Sequence, residues 1–381
     1  MTKKIAILTQ PLHVNFGGTL QAFALQKTLI GMGHQVETLN YDWKKSSDLK
    51  KILSSLKHKI LSNKSIFPFF ENELQAIRAE HKKFIKNNIK YSESLYSHQD
   101  LKNYIESQSF DAVIVGSDQV WRVAYSPRIE SFFLDFLSHD NQIKKIAYSA
   151  SFGIDQWQFN KQKTIEIKRL LKKFQSVSVR EKSAVELCQQ YLDVEVKHTL
   201  DPTLLLEARE YLKLLNPQQK DSRNIGKIFV YVLDRNERKK KIVKSISKKL
   251  GKETFYNQPE KTVKESFIIK DLNPYIYPPI ENWIKSFTEA DFIVTDSFHG
   301  TVFSIIFNKP FISIVNKERG ASRFESLLGI LGLVDRMIDE DTIITHDLFE
   351  NRIDYNKVNS LLNEWIAYSY NELKTALVDK E

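Results

Sequence analysis

The sequence has a single cysteine, Cys188, among its 381 residues. One cysteine excludes an internal disulfide framework and is typical of a protein kept in a reducing compartment. Long apolar runs are missing as well, since no stretch approaches the roughly 20 residues that a membrane-spanning helix needs. The apolar run Ile5–Leu8 is short and no small-residue cleavage site follows it. These absences predict a cytoplasmic protein.

Motifs for several kinds of active site are also absent. The nine histidines are scattered, with no HExxH pair, no paired cysteines and no DxD cluster in a suitable loop. There is no GxSxG turn, and Cys188 lies in a helical context without an evident activator. No GxGxxG or Walker loop is present, which argues against a dinucleotide or P-loop site. The sequence predicts neither a metal nor a bound cofactor.

What the sequence does contain is enough apolar material for two domains. Hydrophobic residues make up 42% of the chain, which is too many for a disordered protein. The net charge of +9 fits several partners: nucleic acid, an anionic membrane surface or an anionic small substrate. A lysine-rich solvated surface explains the charge equally well.

The hydrophobic pattern of the first 200 residues predicts a parallel sheet. A strand over Lys4–Thr9 is followed by the loop Asn15–Gly18, a helix from near Thr19, and a strand over Val36–Tyr41. Strand, glycine-containing loop, helix and strand begin a βαβ unit. Further strands are predicted at residues 111–115, 145–149 and 176–179.

The second half repeats this pattern, with strands predicted at residues 227–233, 254–256, 291–295 and 311–315. We therefore predict an α/β fold of two Rossmann-like domains facing a central cleft, residues 1–200 and 201–345, with a C-terminal helix in 346–381. A helical insertion is expected at about 43–90, in the first domain. Its basic amphipathic part, 43–70, either packs on its own domain or lies on the inner face of a membrane.

His299 is the first candidate for chemistry because of its position in the predicted fold. It follows the apolar strand ending at Thr295, and ligands of open α/β sheets bind beyond the carboxyl ends of strands. Gly300 would let a ligand approach the backbone, and the next helix would offer free N–H groups to an anion. Histidine suits proton transfer near neutral pH. A histidine that only caps the helix is the structural alternative.

The loops after other strands carry further candidates. Asn15, Gly17 and Gly18 occupy the equivalent place in the first domain, although a tight turn explains them equally well. Asp118 follows the strand at 111–115 and could accept a hydroxyl proton or cap a helix. Trp121 follows it, and a ring among polar groups suits a sugar.

Cations follow two of the predicted strands. Arg180 ends the strand at 176–179 and could clamp a carboxylate or phosphate, or make only surface salt bridges with Glu181. Lys317, Arg319 and Arg323 follow the strand at 311–315, and form either an anion-binding rim or a solvated charge run.

Taken in order, these segments resemble the polysaccharide pyruvyl transferase family over residues 3 to about 333. The resemblance rests on Asn15–Gly18, Asp111–Trp121, Ser178–Glu181, Asp201-Pro202, and Ser297–Gly300 followed by Pro310. It implies a GT-B-like fold and transfer of the pyruvyl group of phosphoenolpyruvate onto a sugar of a glycan or lipid-linked precursor, as a cyclic ketal, with release of phosphate.

By position, the resemblance implies that His299 is a general acid/base or a phosphate contact and that Arg180 holds the donor. Arg319 falls at the distance where the family often has a basic residue, and Lys317 is close to it. Ser297 stands where the family often has arginine. Two other functions stay open: a GT-B nucleotide-sugar glycosyltransferase, and a non-catalytic glycan- or anion-binding protein. Nucleic acid is not an expected partner.

Overall fold

The computed structural model describes residues 1–44, 71–137, 142–215, 223–261, 271–315 and 320–379. Most of the predicted membrane-contacting stretch 43–70 lies outside these ranges, as do Lys317 and Arg319. Within them, no helix is both long and apolar enough to span a membrane.

The first sheet has seven parallel strands. They are β1 (Lys4–Leu8), β2 (Gln35–Tyr41), β3 (Tyr91–Leu95), β4 (Ala112–Val115), β5 (Lys144–Ala150), β6 (Ser176–Val179) and β7 (Lys197–His198). Their order is β3-β2-β1-β4-β5-β6-β7, with every pairing parallel. The strand order reverses direction between β1 and β4, and a crevice opens at such a point.

The second sheet has five parallel strands. They are β8 (Ile228–Tyr231), β9 (Thr254–Phe255), β10 (Phe292–Thr295), β11 (Phe311–Ile314) and β12 (Met337–Ile338). Their order is β12-β11-β10-β8-β9, which places the reversal between β8 and β10. Both sheets are therefore parallel and doubly wound, as the sequence predicts.

Helices cover the sheets. They are α1 (Phe16–Gly31), α2 (Glu71–Ile77), α3 (Ala79–Asn88), α4 (His98–Gln108), α5 (Lys161–Leu171), α6 (Lys182–Leu192), α7 (Ala208–Leu212), α8 (Glu237–Leu250), α9 (Ile280–Glu289), α10 (Phe298–Ile306), α11 (Ser322–Ile330), α12 (Asp347–Glu350) and α13 (Tyr355–Leu377). Side-chain caps decide where several of them begin. The first free N–H groups of α1, α4, α5, α8 and α10 bond to Asn15, Ser97, Asn160, Asn236 and Ser297.

These caps correct one predicted helix start. The helix expected from near Thr19 begins at Phe16, and the helix that follows β10 begins at Phe298. Gly17 and His299 are therefore in the first turns of helices and not in loops. The strand β3 was missed because its sequence, Tyr-Ser-Glu-Ser-Leu, has few apolar residues.

The predicted helical insertion is the crossover between paired strands β2 and β3, and its described part, α2 and α3, is helical. Phe84 and Ile85 of α3 belong to the same apolar core as Trp283 of α9, so this connection joins the two sheets. The helix α13 does the same from the other end of the chain. Val358 packs in that shared core, while Leu377 packs against the first sheet.

A buried histidine lies where α3 meets the second sheet. His81 has no exposed surface, and its ring packs 4.7 Å from that of Phe16 and 5.6 Å from that of Tyr277. Neither ring nitrogen has a hydrogen-bond partner in the described residues. Burial lowers the pKa of His81 from its usual 6.5 to about 4.

This burial predicts a loss of stability in acid. The folded state binds a His81 proton only near pH 4 whereas the unfolded state binds it near 6.5, so the free energy of unfolding falls as the pH drops through that window. Between pH 7 and 5 the His81 contribution is roughly 2 kcal/mol. Denaturant titrations of the wild type and His81→Phe at both pH values measure it. Equal pH dependence in the two proteins would contradict the assignment.

Candidate functional site between the two sheets

The two strand-order reversals meet at one cleft. Asn15 follows β1 and Asp118 follows β4 in the first sheet, while Leu233 follows β8 and His299 follows β10 in the second. All four residues line a cavity of about 170 Å³. The first turns of α1 and α10 also meet here, and the leading N–H groups of a helix carry partial positive charge. The cleft is thus suited to an anion.

Gly17 allows the two helices to approach. A β-carbon built on it would lie 2.2 Å from Cγ of His299, a distance that no side chain tolerates. Gly18 is less tightly enclosed, because its β-carbon would lie 3.0 Å from Nδ2 of Asn15 and 3.3 Å from a carboxylate oxygen of Asp118. Gly17 is therefore required for close packing, and the expected contact of both glycines with substrate stays a prediction.

The turn before α10 holds His299 in place. The hydroxyl of Ser297 accepts a hydrogen bond from the N–H of Gly300 at 3.3 Å. Gly300 is a glycine because its β-carbon would lie 2.2 Å from the Thr295 hydroxyl, which faces it inside the fold. The space expected for a ligand beside Gly300 is filled by that threonine side chain.

His299 is 6% exposed, and its Nε2 atom lies 3.5 Å from Oδ2 of Asp201. This nitrogen makes no hydrogen bond to any residue that the structure describes. The imidazole thus faces the cavity with a carboxylate beside it.

Asp201 is the residue on which several site groups converge. Its Oδ2 accepts a hydrogen bond from Arg180 at 2.7 Å, and its Oδ1 accepts from the N–H and hydroxyl of Thr203 at 3.0 and 2.7 Å. Burial alone would raise the pKa of Asp201, but His299, Arg180 and Thr203 outweigh it and hold the pKa well below its usual value. The carboxylate is charged at every physiological pH.

Arg180 has a different position from the expected one. Its guanidinium is 1% exposed and bonds to Asp201 on one side and to Asp118, at 3.3 Å, on the other. It lies beneath the cavity and not among the residues that line it. Because both of its terminal amino groups face these carboxylates, Arg180 positions them instead of presenting a free clamp to a ligand. The alternative prediction, that Arg180 makes only surface salt bridges with Glu181, is also wrong, because Glu181 is fully buried.

Two other arginines line the cavity. The Arg122 guanidinium stacks on Tyr125 at 4.4 Å and donates to the side chain of Gln119 at 2.9 Å. Arg323 lies 5.9 Å from the ring of Phe298, whose ring also lies 4.6 Å from Arg180. Burial, followed by repulsion from Arg180, lowers the pKa of Arg323 to about 10. A bound anion would relieve both effects.

Trp121 is not a sugar platform. Its side chain has no exposed surface, its indole N–H donates to the carbonyl of Phe132 at 3.1 Å, and its ring stacks on Phe133 at 5.3 Å. It is a core residue that supports the loop carrying Asp118. Asp118 itself is 5% exposed and lines the cavity.

A buried lysine that the sequence did not single out anchors the His299 turn. Lys239 is 1% exposed and its Nζ atom lies 2.6 Å from Asp296, two residues before Phe298. Asp296 also accepts from the backbone N–H groups of Leu233 and Asp234, at 2.6 and 3.0 Å. The loops after β8 and β10 are thereby tied together.

Sequence analysis identified some of the residues that line or support the cleft. Asp201 was present in the Asp201-Pro202 motif, and Arg323 in the basic cluster after β11, but neither stood out from its neighbours. Lys239 gave no signal because it lies in the basic run 238–241, and Arg122 gave none because it is a lone cation directly after Trp121. Within the described residues, no three His, Cys, Asp or Glu side chains are grouped as metal ligands would be.

The contact between Gly17 and His299 predicts that a side chain added at position 17 destabilises the protein, whereas one added elsewhere in the same helix does not. Gly17→Ala should push the imidazole aside and lower the free energy of unfolding by about 1–3 kcal/mol, the usual cost of overpacking. Gly31→Ala, in the same helix with no atom within 4 Å, should be neutral or slightly stabilising. Chemical denaturation and the NMR signals of the His299 ring measure both effects. Matching behaviour of the two variants would refute the contact.

The Asp201 contacts predict a large stability loss. Asp201→Asn removes the closer of the two carboxylates that pair with the buried Arg180, which should cost about 3–5 kcal/mol. Asp193, exposed and paired with Lys168 at 3.1 Å, supplies the control, and Asp193→Asn should leave unfolding nearly unchanged. Urea denaturation of both variants at pH 7 makes the comparison. A small loss for Asp201→Asn would mean that Arg180 does not depend on it.

The sequence profile of the polysaccharide pyruvyl transferase family matches residues 15–318 of the chain. No curated protein matches the sequence significantly. Among solved structures, a UDP-N-acetylglucosamine 2-epimerase from Listeria monocytogenes superposes with a TM-score of 0.53 at 12% identity, covering 99% of this chain and 96% of that one. An alpha-glucosyltransferase in complex with UDP and a 13-mer DNA gives 0.52 at 11% identity, covering 100% of each chain.

At such identities the two structures show the fold alone, and they confirm the GT-B-like arrangement predicted from the sequence. The family match extends over the cleft residues of both sheets, from Asn15 through Arg180 to His299. The chain belongs to the polysaccharide pyruvyl transferase family.

Proposed function

We propose that this protein transfers the pyruvyl group of phosphoenolpyruvate to a sugar, forming a cyclic ketal and releasing phosphate. The observation that carries the proposal is the cleft itself. A histidine with a charged carboxylate 3.5 Å away faces a cavity that two arginines also line. Proton donation and anion binding, which the reaction needs together, are available within this one cavity.

The donor is a small trianion, so it requires positive charge for both its carboxylate and its phosphate. Arg122 and Arg323 supply guanidinium groups that match such anions. The first turns of α1 and α10 add backbone N–H groups that have no acceptor within their own helices. Ser297 replaces the arginine that the family often has before the histidine, and we infer that Arg323, beside Phe298, provides the missing charge from another helix.

The proton chemistry is assigned to His299 and Asp118. As one sugar hydroxyl attacks the central carbon of phosphoenolpyruvate, protonated His299 donates to the methylene carbon, which becomes a methyl group. Asp118 accepts the hydroxyl proton. The C–O bond to phosphate then breaks as the second hydroxyl of the sugar closes the ketal, and that hydroxyl proton leaves with the phosphate or returns to His299. Asp201 stabilises the imidazolium before the transfer.

If these roles are right, substitutions at different residues should affect phosphoenolpyruvate binding and the proton-transfer step separately. His299→Ala should retain phosphoenolpyruvate binding and lower kcat by about 10²–10⁴. Arg323→Gln should weaken that binding about 10- to 100-fold, the loss expected for a charge-assisted hydrogen bond. Arg209→Gln, at a side chain that is 70% exposed and paired with Glu207, should leave both unchanged. Calorimetry with phosphoenolpyruvate and phosphate release with a panel of sugars measure the two effects.

Two results would contradict the proposal. The first is stabilisation by nucleoside diphosphates with none by phosphoenolpyruvate, which is the behaviour of a nucleotide-sugar glycosyltransferase. The second is donor binding without turnover for any sugar, which is the behaviour of a binding protein.

A further inference from the structure

The cavity that His299 faces is too small for both substrates. It encloses about 170 Å³, whereas ordinary ligand pockets begin at roughly 300 Å³. Phosphoenolpyruvate is a compact anion and fits such a space, but the acceptor brings a whole sugar ring. The sugar ring must therefore lie at the mouth of the cavity, on a surface separate from the anion site.

One aromatic ring at this mouth is open to a ligand. Of the aromatic rings among the described lining residues, those of Phe298 and Phe324 belong to residues that are each 5% exposed, whereas Tyr125 is 44% exposed. Phe298 is also covered by the guanidinium of Arg180, 4.6 Å from the ring centroid. A ligand that covers the Tyr125 ring would remove apolar surface from water, which is favourable.

Arg122 fixes the orientation of the Tyr125 ring. Its guanidinium lies 4.4 Å from the ring centroid and covers one face, and it also donates to the side chain of Gln119 at 2.9 Å. The exposed surface of the ring therefore lies on the opposite face and the edge. The face of an aromatic ring is electron-rich and attracts the weakly positive C–H groups of a sugar. Tyr125 thus offers a flat surface that suits the C–H face of a pyranose.

The loop that carries this ring is held by hydrogen bonds. Tyr125 ends a single 3₁₀ turn that begins at Val123. The side chain of Gln10, in the loop after β1, donates to the carbonyl of Gln119 at 2.8 Å and to the hydroxyl of Ser126 at 3.0 Å. Both ends of the turn are therefore tied to the first sheet, and little ordering remains to be done when a ligand binds.

The same loop begins with Asp118, which lines the same cavity as Tyr125. The backbone carbonyl of Asp118 accepts a hydrogen bond from the N–H of Ser151 at 3.0 Å, so the start of the loop is tied to the end of β5. One anchored loop thus presents a carboxylate and an exposed ring together. A pyranose has the complementary surfaces, since its edge carries hydroxyl groups and its face carries C–H groups.

We propose that Tyr125 is the platform on which the acceptor sugar stacks, with the hydroxyl edge of the sugar turned towards Asp118 and His299. The roles of Asp118 and His299 in this statement rest on the proposed function, whereas sugar binding on the ring does not. The platform also restricts the acceptor. A sugar with an uninterrupted C–H face can lie flat on Tyr125, while an axial hydroxyl on that face would hold it away from the ring.

Three variants isolate the contribution of the ring. Tyr125→Ser removes it and Tyr125→Phe retains it. Tyr368 has a similar exposure, 41%, lies on α13 and does not line the cavity, so Tyr368→Ser is the matched control. Because both tyrosines are exposed, all three variants should unfold close to the wild type in a thermal scan. Calorimetry with phosphoenolpyruvate tests whether Arg122 still supports the anion site once the ring is gone, and the affinity should be unchanged in all three.

The test of stacking is saturation-transfer-difference NMR with methyl glucopyranoside, methyl galactopyranoside and methyl mannopyranoside, none of which has an aromatic group of its own. At least one of these glycosides should receive saturation on the C–H protons of one face from the wild type, Tyr125→Phe and Tyr368→Ser. Tyr125→Ser should bind it about tenfold more weakly. In turnover with phosphoenolpyruvate, Tyr125→Ser should raise the KM for the sugar by a similar factor and leave kcat and the KM for phosphoenolpyruvate nearly unchanged.

The platform would be refuted by the absence of saturation transfer to all three glycosides, or by equal transfer in the wild type and Tyr125→Ser. Weaker phosphoenolpyruvate binding in Tyr125→Ser would overturn it as well, because the ring would then serve only to hold Arg122. Failure of the proposed function has a different signature. In that case the glycosides bind through Tyr125, yet phosphoenolpyruvate releases no phosphate with any of them or with larger glycans.

Discussion

The buried carboxylate of Asp201 is the interaction on which the cleft depends. It receives Arg180 from the first sheet and Thr203 from its own turn, and it faces His299 of the second sheet. A charged group with no exposed surface is tolerated only when its partners offset the loss of water. Those partners come from both halves of the chain. The contacts that keep Asp201 charged therefore also bring the two sheets together and place a carboxylate beside His299.

Close packing complements this electrostatic constraint. The first turns of α1 and α10 meet through Gly17, and Phe16 beside it continues into the aromatic core with Trp283 at 5.4 Å. The positive ends of two helices are thereby held together, which is unfavourable until an anion lies between them. The proposed anion site and the joining of the two sheets are thus parts of one arrangement, and the crossover helix α3 and the C-terminal helix α13 hold it from either side.

Much of this fold could be predicted from the periodicity of apolar residues and from the turn residues that separate the helices and strands. The strand Ser176–Val179 has the predicted bounds, and the helix Tyr355–Leu377 lies within the range 346–381 predicted for it, since apolar periodicity is strong in both. Side-chain positions were harder. Arg180 was expected to hold the donor and instead bonds two carboxylates, because the sequence does not show that Asp118 and Asp201 lie beside it. Trp121 was expected to suit a sugar and is a core residue instead, and the sequence does not show that its partners Phe132 and Phe133 of a later turn pack against it.

The central claim is that His299 protonates the methylene carbon of phosphoenolpyruvate while a sugar oxygen attacks the neighbouring carbon. The most direct measurement is mass spectrometry and NMR of the acceptor after reaction in D₂O. We predict a pyruvyl ketal whose methyl group carries one deuterium, with phosphate released in equal amount, and formation of both slowed by about 10²–10⁴ in His299→Ala. An acceptor that gains a hexose from a nucleotide sugar, or a pyruvyl group without deuterium, would contradict the account.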